Sequence, residues 1–185
     1  VMFAELDGYK DSAAKITECE NAIIEAKYNN ASRLMADGQY EEALAIFENL
    51  HDYKDCDALI QECNAAILEN KYNAAVDLMS NGELEAAITA FESIIDYKDS
   101  SSKISECKNQ INENKYNEAV TLANNGSYDD AILIFNSLGD YKDSANLSQK
   151  YTLLICEVGD VITFGTYEQD NNFDNGAEAI EWIVL

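Results

Sequence analysis

The stretch Tyr53-Lys54-Asp55-Cys56 decides the fold, because it comes back. Tyr97-Lys98-Asp99-Ser100 and Tyr141-Lys142-Asp143-Ser144 follow at intervals of 44 residues, and Tyr9-Lys10-Asp11-Ser12 precedes it by the same interval. A fixed period of this length is the signature of an array of stacked supersecondary units. Aligned on the motif, the complete copies 9–52, 53–96 and 97–140 hold the same residue types in the same places. Ile23, Ile67 and Ile111 match, as do Tyr28, Tyr72 and Tyr116, then Ala31, Ala75 and Ala119, then Leu34, Leu78 and Leu122. Gly38, Gly82 and Gly126 follow, then Ala43, Ala87 and Ala131, then Phe47, Phe91 and Phe135. Phe3 and Leu6 stand where Phe47 and Leu50 stand, so residues 1–8 read as the tail of an earlier unit and the chain as a piece cut from a longer array.

Each unit predicts two helices. Asp11, Asp55 and Asp99 are suited to N-caps, where a short carboxylate accepts from exposed first-turn amides. Apolar residues at 16, 19, 23, 26, 31 and 34 keep the three-and-four spacing of one helical stripe. Nothing breaks that helix before Gly38, which suits a left-handed C-terminal turn. Tyr40, Ala43, Leu44, Phe47 and Leu50 then define a shorter second helix. One such hairpin cannot bury its apolar face alone, so stability comes from stacking on the next unit.

Composition narrows the partners. Lys and Arg number 12 against 35 Asp and Glu, for a net charge of −23, and the full units carry −5, −7 and −3 in turn. Nucleic acid is excluded as an expectation, since binding it requires cations to displace phosphate counterions, and direct contact with an anionic membrane is disfavoured likewise. A neutral or basic protein or peptide is the expected partner. No run reaches the roughly 18 apolar residues of a membrane span. Five cysteines do not make a disulfide framework. Cys19, Cys63 and Cys107 keep the 44-residue period on apolar stretches and read as small core residues.

The second half of each unit resembles the tetratricopeptide repeat, through Tyr28–Ala31–Leu34–Gly38–Tyr40–Ala43–Phe47–Leu50 and its two later copies. The unit departs from that family in being longer and in lacking a proline after the second helix. The resemblance covers about residues 1–145, and implies an all-α, right-handed solenoid of helix–turn–helix repeats with a groove lined by the long helices. It further implies peptide or partner-domain binding there by Glu25, Tyr28, Asn29, Ser32, their copies Glu69, Tyr72, Asn73, Val76, and Glu113, Tyr116, Asn117, Val120. The other reading makes the tyrosines inter-helix packing and the glutamates solvated surface. Glu and Tyr stand at most positions where clamps for a peptide C-terminus carry Lys or Arg, which argues against such a clamp.

After a final helix over 141–156 the pattern changes. Val161–Tyr167 alternates like a strand and Ala179–Leu185 is β-branched and aromatic, with a polar loop between, which predicts a β-hairpin. Residues 157–185 are similar to the opening of a bacterial domain of unknown function, one that follows helical repeats in multidomain, often membrane-anchored proteins. Asp170, Asn172, Asp174 and Glu181 imitate a calcium loop, but Gly176 falls one residue late and a strand follows in place of a helix, so no metal is expected. His51, the only histidine, has no second imidazole to share zinc with. No phosphate loop or nucleophile elbow occurs, so neither a cofactor nor an enzymatic activity is expected. The function read from the sequence is a protein-interaction scaffold. The alternatives are a spacer that displays a C-terminal domain, or the regulatory part of a larger protein whose activity lies in that domain.

Overall fold

A computed structural model gives the architecture, and it describes residues 11–167 and 176–184. Among the described residues seven helices precede a two-stranded hairpin: α1 Ser12–Ala36, α2 Tyr40–Glu48, α3 Cys56–Ser80, α4 Leu84–Glu92, α5 Ser100–Asn124, α6 Tyr128–Leu138, α7 Ser144–Ile155, β1 Val161–Tyr167 and β2 Glu178–Ile183. Long and short helices alternate with the 44-residue period, so the fold is an all-α repeat followed by a β-hairpin. The chain forms two compact units, Val1–Ser105 and Glu106–Leu185, with the boundary inside α5. The hairpin therefore shares a unit with α6 and α7.

Each long helix runs 25 residues, about seven turns. Gly38, Gly82 and Gly126 end them at φ of 80°, 81° and 84°. In each case the glycine amide donates three residues back and the next amide donates five back, as in Gly82 to Met79 at 3.1 Å and Glu83 to Leu78 at 3.0 Å. This is the Schellman arrangement, which satisfies carbonyls that the helix end leaves open.

In the first unit α1, α2 and α3 share one core of Ala31, Leu34, Ala43, Phe47, Leu50, Cys56 and Cys63. Ala31 and Ala43 are fully buried, and without larger side chains the helices can approach closely. Among the described residues Phe47, Phe91 and Phe135 are the largest side chains with no exposure. In the second unit Ala119, Ala123, Ala131 and Phe135 form the equivalent core, with Leu147 and Tyr151 of α7 packed on it.

Two expectations need correction. Cys63 and Cys107 are buried, but Cys19 is exposed and Ile23 is 56% exposed. Cys63 is covered by α2 residues, whereas the stretch in the equivalent place before α1 lies outside the described residues. Asp11, Asp55 and Asp143 occupy N-cap positions, yet their carboxylates make no capping hydrogen bond. Asp55 and Asp143 have another task, described below.

β1 and β2 pair antiparallel, with Ile162 opposite Trp182 and Thr163 opposite Glu181. The register slips between Thr163 and Thr166, where Gly165 has φ of 79°. Two β1 residues thus face Ile180 alone in a bulge, which interrupts the strict alternation read from sequence. Val161, Trp182 and Ile183 are more than half exposed.

Candidate functional site

The recurring Tyr-Lys-Asp turns out to be a staple between successive long helices. Its lysine adopts a left-handed backbone, at φ of 48° for Lys54 and Lys98 and 51° for Lys142. A hydrogen bond from the fourth residue's amide to the tyrosine carbonyl closes the turn, Cys56 to Tyr53 at 3.1 Å. The three side chains then reach back to the preceding long helix. Tyr53 Oη donates to Glu25 Oε2 at 2.5 Å and Lys54 Nζ donates to Glu25 Oε1 at 2.7 Å. Asp55 accepts from Tyr28 Oη at 2.6 Å. Lys54 Nζ lies 4.4 Å from the centre of the Tyr28 ring, within cation–π range.

The same set joins Glu69 and Tyr72 to Tyr97, Lys98 and Asp99, and Glu113 and Tyr116 to Tyr141, Lys142 and Asp143. The tyrosine rings also meet the core edge-on, Tyr72 on Phe91 with centres 5.8 Å apart. Electrostatics follow the bonds. The lysine and tyrosine donors hold Glu25, Glu69 and Glu113 below their ordinary carboxylate pKa. Donation to Asp143, reinforced by desolvation, pushes Tyr116 up to about 12.

Ten of the twelve residues expected on a binding face therefore have hydrogen-bond partners within the chain. Glu25, Tyr28 and their copies hold the next turn. Asn117 Nδ2 donates to Glu113 Oε1 at 3.4 Å and supports that glutamate from one helical turn on, and Asn29 and Asn73 act likewise on Glu25 and Glu69. Ser32 Oγ bonds the Tyr28 carbonyl at 2.9 Å. Val76 is half-buried, and Val120 packs on the core of the second unit.

What this face leaves open is a cavity of about 360 Å³, lined by Tyr28, Ser32, Met35, Ala36, Tyr40 and Leu59. It joins α1, α2 and α3, and of the residues singled out from sequence it gathers Tyr28 and Ser32. Met35, Tyr40 and Leu59 escaped sequence reasoning because their apolar character reads equally well as core. A second cavity of about 550 Å³ lies between α7 and β1, with Ser148, Thr152, Val161 and Thr163 among its walls. Its existence depends on how the hairpin folds back, for which no periodic signal exists.

His51 stands between two carboxylates, Nδ1 at 3.1 Å from Asp57 and Nε2 at 3.5 Å from Asp52. Each ring nitrogen faces one acid, and one ligand atom from each of these three exposed residues lies within 4.8 Å of the others. Both contacts favour the protonated ring, and the bond to Asp57 raises the His51 pKa. Of the calcium-loop candidates, Glu181 lies on β2 opposite Thr163, while Asp170, Asn172 and Asp174 fall outside the described residues. Among the described residues no helix is long and apolar enough to cross a membrane.

Comparison with known proteins returned nothing. The chain matches no family model, no curated protein and no solved structure.

Proposed function

We propose that the repeats form an interaction scaffold for a basic or neutral polypeptide, which places an apolar side chain in the cavity of Tyr28, Ser32, Met35, Tyr40 and Leu59. That cavity carries the reading: it opens on the face of the long helices, at a junction between hairpins, in a chain of net charge −23. The residues constant from unit to unit (Ala, Phe, Gly and the Tyr-Lys-Asp set) hold the array together. Position 32, which changes to Val76 and Val120 in the later units, lines the surface a partner would meet. Such division suits a tetratricopeptide-like repeat, where the framework repeats and the groove varies. The abundant acid would steer a cationic partner and make its binding weaken with salt.

Selection of a random peptide library on the full chain tests this. Enriched peptides should carry Lys or Arg beside one apolar residue. Ser32→Arg, which fills the cavity and reverses its local field, should abolish their binding, while Asp129→Lys on α6 should leave it intact. Absence of any enriched sequence would dismiss the scaffold reading. Equal binding by Ser32→Arg would dismiss this site.

A further inference from the structure

The last residues of the three long helices carry a difference that the repeat makes visible. The residue before the turning glycine is Asp37 in the first unit, Asn81 in the second and Asn125 in the third. Asn-Gly is the dipeptide most prone to intramolecular deamidation, because glycine offers no side chain to shield its amide nitrogen. In that reaction the deprotonated glycine nitrogen attacks the asparagine Cγ and ammonia leaves. Water then opens the cyclic imide at either carbonyl, giving aspartate or isoaspartate.

Both asparagines are exposed, yet the cap geometry opposes the attack. Gly82 and Gly126 commit their amides to Met79 and Ala123, each at 3.1 Å. Asn81 has ψ of −4°, whereas ring closure requires its Cβ to eclipse the next nitrogen about the Cα–C bond. With ψ near zero that nitrogen eclipses the residue's own nitrogen instead, and the Cβ is held away.

The surroundings differ in the same sense. Asp37 is paired with Arg33 one turn earlier, at 2.9 Å. The residues in the place of Arg33 are Asp77 before Asn81 and Thr121 before Asn125. A carboxylate at a helix C-terminus opposes the helix dipole, and like charges four apart repel. The amide thus stands where the place of Arg33 holds no cation, and conversion of Asn81 would set a new charge against Asp77.

We propose that Asn81 and Asn125 are latent self-modification sites, kept closed by the Schellman turns and released to deamidate when those turns fray. Conversion of Asn81 loosens its own cap, so the modification favours further opening.

The test incubates the full chain at mildly alkaline pH, folded and in urea, and follows the peptides containing Asn81 and Asn125 by mass mapping. Reaction confined to the opened turn proceeds in proportion to the fraction of time the turn is open, so both residues should convert at least about tenfold more slowly when folded. The Asn175-Gly176 peptide is scored apart. Equal rates in the two conditions would overturn protection by the caps. As a second arm, Asn81→Asp should lower the thermal midpoint and Asp77→Arg in the same chain should restore it. An unchanged midpoint for Asn81→Asp would overturn the self-loosening step.

Discussion

The hydroxyl of Tyr28 donates to the carboxylate of Asp55 at 2.6 Å, across 27 residues of sequence. Tyr72 repeats the bond to Asp99, and Tyr116 to Asp143. An aspartate in N-cap position thereby couples one long helix to the next rather than capping its own. Successive units are joined through polar side chains as well as through the apolar core.

The apolar core should dominate stability. Phe91 has no exposure, and Phe91→Ala should cost about 3–5 kcal/mol by leaving a cavity between helices. Tyr72→Phe keeps the ring on Phe91 and removes only the bond to Asp99, so its effect should be much the smaller. Urea unfolding of both variants gives the ratio.

Backbone strain at the staple can be separated from its side-chain contacts. Lys98→Ala and Lys98→Gly both remove the pairing with Glu69, but only glycine relaxes the left-handed φ of 48°. Lys98→Gly should therefore melt higher than Lys98→Ala. A reversed order in calorimetry would show that the lysine conformation is not strained.

The staple also sets stability at both ends of the pH scale. The pKa of Glu69 is depressed by its Lys98 and Tyr97 donors, so its contribution is complete above the ordinary value of 4.5 and disappears as pH falls through the lower folded value. Tyr116 is raised from 10.0 to about 12, so its contribution is complete below 10.0 and is lost as pH rises through about 12. Phenolate absorbance should show a late-titrating tyrosine, shifted back towards 10.0 in Asp143→Asn.

His51 gives a simple titration because it is the only imidazole. Its folded pKa lies above 6.5, first through the bond to Asp57 and then through the charge of Asp52. The associated stability is present below 6.5 and lost as pH rises through the folded value. NMR titration should place the midpoint above 6.5, and Asp57→Asn should lower it. Equal midpoints in the two proteins would mean that Asp57 does not hold the ring in solution.

The sequence by itself determined the repeat, its helix pairs, the glycine turns and the hairpin that follows. These depend on local spacing and backbone chemistry, which a period of 44 residues displays several times over. Gly82 needed no tertiary information, because a φ of 81° after a long helix is a local requirement. Only the tertiary structure decided what Glu25, Tyr28 and Asp55 do. A carboxylate before a helix reads as a cap, and a tyrosine on a helix face reads equally as packing or as a ligand contact. Their partners lie more than 25 residues away, so the choice between a first-turn amide and a distant phenol as donor to Asp55 is not recorded in the local pattern. Burial is likewise a tertiary property: Cys63 is buried and Cys19 exposed although they hold the same place in the repeat.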